Sequence, residues 1–121
     1  MADKDSSLAE LKQKVKSFCD ARDWEQYHGG KDLSIGVITE ASELLEHFRF
    51  KSNEEVEQIF KNARKRAEIS EEMADVFYFL LRLAQKYDID LSTALAEKLK
   101  KNEKRYPVEK SKGSNKKYTD L

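Results

Sequence analysis

The chain has 121 residues, 23 basic and 23 acidic side chains, and a formal net charge of zero. These numbers exclude overall electrostatic attraction to DNA or to a membrane surface, and a single cysteine excludes an internal disulfide. They predict one domain over residues 1–121, with residues 1–6 and 108–121 as extended tails. A cytoplasmic location is expected, because the sequence has neither a membrane-spanning apolar run nor the apolar core of a signal peptide.

Apolar residues recur at helical spacing in the first half of the chain. The first pattern predicts a helix from about Ser7 to Ala21. After a turn at Gly29 and Gly30, a second pattern predicts a helix that Asp32 caps and that runs to about residue 48. A weaker pattern in the charged segment 52–70 allows a short third helix.

Two further helices are predicted in the second half of the chain. One runs from Ile69 to about Tyr87, and the other begins after the cap residue Asp90. The last helix must end near Tyr106, because Pro107 follows it. No alternating strand pattern is present, so the predicted class is all-α, a compact bundle of four to five helices.

Two pairs of acidic residues lie beside the apolar stripes of two predicted helices. Glu40 and Glu43 share one flank of the second helix, and Glu72 and Asp75 share a flank of the same rotational sense on the long helix. Antiparallel packing would bring the four carboxylates together. Their mutual repulsion would then favour a divalent cation such as Mg²⁺. The alternative, which spacing alone leaves open, is a solvated acidic face in a chain that is 38% charged.

Several motifs resemble those of the MazG-like all-α nucleoside triphosphate pyrophosphohydrolases. The stretches EASE (residues 40–43) and EEMADVFYFLLRLA (residues 71–84) are similar to the E-x-x-E and E-x-x-D signature of that family. The stretches RDWEQYH (residues 22–28), KKNEKRYP (residues 100–107) and KKYTDL (residues 116–121) resemble the dCTP pyrophosphatase branch in particular. The likeness covers nearly the whole chain.

The resemblance implies an activity and a cofactor. A nucleoside triphosphate, dCTP or a related or modified deoxynucleotide, would be hydrolysed to the monophosphate and pyrophosphate, which clears unwanted nucleotides from the pool. Glu40, Glu43, Glu72 and Asp75 would be the catalytic residues and the Mg²⁺ ligands. Relatives form dimers or dimers of dimers with shared active sites, and the apolar run at residues 77–81 agrees with burial against a second subunit. Neither nucleic acid nor membrane is an expected partner.

The resemblance also implies a set of substrate-binding residues. Phe79 joins them because the helical wheel places it on the acidic flank, and Lys98 and Arg105 join them because cations near a triphosphate are useful. The set is Trp24, His28, Phe50, Phe79, Lys98, Asn102, Arg105 and Tyr118. Ordinary structural roles stay open for most of them, such as a turn residue for His28 or helix-dipole partners for the basic residues. The sequence departs from the dCTP branch at two positions that bear on base preference. Phe50 stands where the branch has a tryptophan, and Val15 stands where it has a histidine.

Two alternatives in other functional classes remain. The first is a helical, dimeric interaction protein or nucleotide sensor without turnover, which would have no reason to arrange four acids on matched flanks. The second is a nucleic-acid-binding module that uses the basic carboxyl-terminal end, whose affinity would fall steeply with salt. The zero net charge disfavours the second alternative.

Overall fold

All residues from 1 to 121 are described by the computed structural model, and every regular element in it is helical. This confirms the all-α class. No helix combines the length and the apolar character needed to cross a membrane. The α-helices are α1 Leu8–Asp20, α2 Gly30–Glu46, α3 Asn53–Lys61, α4 Ala63–Lys86, α5 Leu91–Arg105 and α6 Val108–Ser111, with short 3₁₀ turns at Asp3–Asp5, Glu25–Tyr27 and Tyr118–Asp120.

The chain divides into two compact units. The first, Met1–Asp88, contains α1 to α4, and the second, Ile89–Leu121, contains α5 and α6. The single domain predicted over residues 1–121 stays a prediction. Both tails were expected to be extended, and the structure differs in part, because each contains a short 3₁₀ turn and the second also contains α6.

Side-chain caps define where most of the helices begin. Ser52 and Glu55 form a complete capping box at the start of α3, which establishes the short third helix. Asn62 accepts a hydrogen bond from the Lys65 backbone N–H, so α4 begins at Ala63, earlier than the predicted start at Ile69. Asp90 caps α5 as predicted, through the Thr93 backbone N–H.

Asp32 does not cap α2, and this part of the prediction is wrong. The helix begins at Gly30, with Gly29 as its N-cap residue, and Asp32 lies within the first turn. The reason is a contact from α4, because the Gly30 backbone N–H donates to the Tyr87 hydroxyl at 2.9 Å. The negative charge of Asp32 still stabilises the helix start through the helix dipole.

Helices α2 and α4 form the main packed pair of the first unit. Their contacts run in opposite directions along the two chains: Gly30 meets Tyr87, Gly36 meets Phe79, and His47 meets Glu72. The two helices are therefore antiparallel, which is the arrangement that lets acids on matched flanks converge. The buried apolar residues around them are Cys19, Leu33, Ile69, Leu81 and Ala84.

Gly36 marks a very close approach of α2 to α4. A Cβ atom built at this position would lie 2.4–2.7 Å from ring atoms of Phe79, well inside van der Waals contact. Phe79 is thus packed directly onto the backbone of α2. A glycine in a helix interior is normally unfavourable, and here the packing of the ring requires it.

Candidate metal and nucleotide site

Three glutamates on α2 and α4 form an acidic cluster. Glu40 and Glu43 lie one turn apart on α2, and Glu72 lies opposite them on α4. One carboxylate oxygen from each lies within 4.8 Å of the other two. Asp75, the fourth predicted ligand, is outside this group of three but acts electrostatically on Glu40. The structure thus brings together three of the four predicted acids, from both helices.

Two carboxylate oxygens of this cluster are not used in hydrogen bonds. Glu40 Oε2 and Glu72 Oε2 are buried and have no hydrogen-bond partner. Burial raises the pKa of Glu40 to about 7, and a hydrogen bond and the negative charge of Glu43, followed by the charges of Asp75 and Glu72, act in the same direction. Buried, unpartnered acceptors are costly, and hard oxygen donors are the ligands that Mg²⁺ and Ca²⁺ prefer. The residues present therefore fit a divalent cation.

His47 lies at the edge of the acidic cluster. Its Nε2 atom is 3.8 Å from Glu72 Oε1, and its side chain is mostly buried. The sequence assigned no role to this histidine. The signal that could have found it is its position one turn after Glu43 on the flank that carries the acids.

Trp24 lies in the connector between α1 and α2 and is partly exposed. Its ring packs edge-to-face against Phe18, with centroids 5.7 Å apart, and against His28, at 6.1 Å. Phe18 in turn contacts Tyr78 at 6.0 Å, and these two residues line a small apolar groove together with Lys14 and Val15. An exposed aromatic face on a packed cluster is a suitable platform for a base.

Arg82 is a buried charge within the apolar part of α4, and its side chain is only 1% exposed. Its Nε–H donates to His28 Nδ1 at 3.0 Å, and other guanidinium nitrogens bond Glu25 and Gln85. Lys86 Nζ donates to the second oxygen of Glu25 at 2.7 Å. This network was not predicted from the sequence, although an arginine inside the run FYFLLRLA was a visible signal.

Phe50 and Phe79, two aromatic residues predicted to bind the substrate, have different environments. Phe50 is 91% exposed, has a left-handed backbone with φ of 66°, and lies under the Arg49 guanidinium at 4.6 Å. Phe79 is packed against Gly36 and against Tyr78, whose ring centroid is 5.0 Å away. Phe50 is therefore available to a ligand, whereas Phe79 serves the packing of the two helices. Their roles in substrate binding stay predictions.

The remaining predicted residues lie in the second unit. Lys98 is exposed on α5, and Asn102 is half-buried one turn further on. The Arg105 guanidinium lies 4.8 Å from the centroid of the Tyr118 ring, which also packs on Tyr106. Tyr118 thus holds Arg105 within this unit. The role of these four residues in binding a nucleotide stays a prediction.

Comparison with known proteins gives consistent matches. A sequence model described as the MazG-like family matches residues 35–121. The dCTP pyrophosphatase 1 of Bos taurus is 37% identical over 115 residues, which are 95% of this chain and 68% of that protein, and the Homo sapiens protein of the same name is 34% identical over the same shares. A crystal structure of a pyrophosphatase from Archaeoglobus fulgidus matches with a TM-score of 0.78 at 36% identity, covering 83% of this chain and 92% of that one.

The chain belongs to the MazG-like family. Both the family match and the relatives that are 34–37% identical over 95% of this chain support this assignment. The resemblance carried by the two acidic motifs is thereby confirmed.

Proposed function

We propose that this protein is a Mg²⁺-dependent enzyme that hydrolyses a nucleoside triphosphate, dCTP or a related or modified deoxynucleotide, to the monophosphate and pyrophosphate. The reaction class follows from its relatives, which are named dCTP pyrophosphatase and pyrophosphatase, and the protein is accordingly a nucleotide pyrophosphohydrolase. The observation that carries the proposal is the acidic cluster, in which Glu40 and Glu72 each keep a buried oxygen without a partner.

Glu40, Glu43 and Glu72 would hold the metal ion, with Asp75 beside them. A divalent cation supplies charge neutralisation for the triphosphate and activates water as a nucleophile. The carboxylates are held on two packed helices, so they need little rearrangement during the reaction. Water would form a bond to the α-phosphorus while one of the four carboxylates accepts its proton, and the anhydride bond between the α- and β-phosphates would break as pyrophosphate leaves.

The substrate assignment is tested with a panel of the eight common NTPs and dNTPs, with Mg²⁺ and with EDTA in its place. We expect pyrophosphate release that requires Mg²⁺ and is fastest for dCTP or another deoxynucleotide. If another nucleotide is hydrolysed fastest, the proposed reaction stands and the proposed base preference is wrong. Phe50 and Val15 would contribute to that preference. Folded protein that releases no pyrophosphate from any of the eight would favour a modified nucleotide or a binding protein without turnover.

Trp24 is expected to contribute to nucleotide binding through its exposed face. Stacking on an aromatic side chain gives roughly 1–3 kcal/mol per base, so Trp24→Ala should raise KM for dCTP by about five- to hundredfold and leave kcat nearly unchanged. Steady-state kinetics measure both constants. Trp24→Phe is the control, since it keeps a ring and should lose much less. An unchanged KM in Trp24→Ala would leave this residue a purely structural role.

The exposed apolar surface of α4 supports a proposed homodimer or dimer of dimers. Met73 is 57% exposed, and Phe77 and Leu80 are each 40% exposed. Side chains of this size on one helix are more stable when a second subunit covers them. Cleaning of the nucleotide pool in the cytoplasm, without nucleic-acid or membrane partners, completes the proposed function.

A further inference from the structure

We propose that Arg82 is a positioning residue for nucleotide binding, because its guanidinium fixes His28 as the neutral imidazole that carries its proton on Nε2. His28 then offers a hydrogen-bond donor beside Trp24. The assignment of that donor to a nucleobase rests on the proposed function. The state of His28 itself rests only on the contacts of Arg82.

The hydrogen-bonding chemistry of arginine determines where the proton of His28 lies. Every nitrogen of a guanidinium is a donor, and none can accept. Arg82 Nε–H donates to His28 Nδ1 at 3.0 Å, so Nδ1 must present a lone pair. In a neutral imidazole the proton is then on Nε2. A doubly protonated ring would place an N–H against the N–H of Arg82.

The charges around His28 favour the same neutral form. Burial, followed by the positive charges of Arg82 and Lys86, lowers the pKa of His28, and the carboxylates of Glu25 and Asp32 oppose this only in part. These surroundings therefore favour the neutral imidazole, with a lone pair on Nδ1 and a proton on Nε2.

Arg82 can orient His28 because its own guanidinium is fixed by several hydrogen bonds. The side chain is buried, its Nη1 atom donates to Gln85 Oε1 at 2.5 Å, and its Nη2 atom donates to Glu25 Oε2. A planar guanidinium bound to several partners has little freedom to turn. The connector with Trp24 and His28 is thus attached to α4 by partly buried hydrogen bonds.

A donor beside an aromatic platform has a specific chemical use. The edges of nucleobases carry ring nitrogens and carbonyl oxygens that accept hydrogen bonds, while their faces stack. The His28 and Trp24 rings contact each other edge-on, with centroids 6.1 Å apart, so a base that stacks on the exposed part of Trp24 would lie next to His28. The ligand is therefore a nucleobase whose edge presents an acceptor.

The first test examines the imidazole nitrogens of the wild-type protein by ¹⁵N NMR. The chain has two histidines, and a His47→Gln variant assigns the two sets of signals. We expect His28 at pH 7 to show an unprotonated Nδ1 and a protonated Nε2, and the Nε2 signal to shift when dCMP is added. A protonated Nδ1, or an Nε2 signal that saturating dCMP leaves unchanged, would overturn the proposal.

The second test compares Arg82→Met with Arg64→Met. Arg64 is the control because its side chain is 86% exposed and pairs only at the surface, with Glu68. Arg82→Met should mix the two tautomers of His28 and raise KM for dCTP about five- to tenfold, with kcat within about twofold of wild type. Arg64→Met should change neither. An Arg82→Met protein with wild-type KM and mixed tautomers would contradict the positioning role.

The two tests separate this inference from the proposed function. If the wild-type protein releases no pyrophosphate but shows the expected tautomer and the dCMP shift, only the proposed reaction fails. If pyrophosphate is released but Nδ1 of His28 is protonated, only the role of Arg82 fails. The NMR measurement on wild type decides the second point even if Arg82→Met does not fold.

Discussion

Glu43→Gln is expected to lower kcat for Mg²⁺-dependent dCTP hydrolysis by about a hundredfold or more. Glu43 is one of three glutamates whose carboxylate oxygens lie within 4.8 Å of one another, and glutamine removes its charge with almost no change of volume. The amide also cannot replace the carboxylate as a strong metal ligand. Helical content by circular dichroism should be unchanged.

A second measurement separates loss of metal binding from a general loss of activity. A ligand at a hundred times its Kd stabilises a folded protein by about 2.7 kcal/mol, so Mg²⁺ should raise the Tm of wild type and much less that of Glu43→Gln. Glu46→Gln is the control, because Glu46 lies on the same helix and is paired with Arg49 at 3.3 Å. Full activity in Glu43→Gln would remove this residue from the site.

Gly36→Ala is expected to lower the free energy of unfolding by about 1–3 kcal/mol. The substitution improves helix propensity by about 1 kcal/mol, yet the new methyl group would lie 2.4 Å from the nearest Phe79 ring atom. The overlapping atoms belong to the packed ring of Phe79. The overlap therefore cannot be relieved by a small movement of a flexible side-chain end. Urea denaturation measures the change.

If steric overlap with the Phe79 ring explains the loss of stability in Gly36→Ala, a smaller side chain at position 79 should reduce that loss. In a double-mutant cycle, Phe79→Leu should remove part of the cost of Gly36→Ala, so the two changes together should cost less than their sum. Ser42→Ala, at an exposed position of α2, should change stability by less than about 0.5 kcal/mol. If Gly36→Ala is stabilising, α2 and α4 are not in the close contact described.

The acidic cluster was predictable because helical periodicity together with antiparallel packing of two helices is enough to form it. The spacing of Glu40 from Glu43 and of Glu72 from Asp75 places each pair on one flank, and antiparallel packing of α2 on α4 then brings them together. The separation of Asp75 from the group of three was not predictable, because it depends on the exact rotation of the two helices.

The network of Arg82 could not be derived from periodicity. A charged residue in an apolar run shows that some partner is required, but those partners, Glu25 and His28, lie far away in the sequence in a connector without a repeating pattern. The start of α2 at Gly30 was missed for the same reason, because Tyr87 at the other end of the unit determines it. Local signals predict helices well and contacts between distant segments poorly.

Helix α4 carries Glu72 of the acidic cluster and, further along the same helix, Arg82, the anchor of His28. At 1.5 Å per residue, about 15 Å of uninterrupted helix separates the two positions. Because a helix with intact backbone hydrogen bonds does not shorten, the distance between these two positions is fixed. Under the proposed function, α4 therefore fixes the distance between the metal-bound phosphates and the side chains that would meet the base, Trp24 and His28.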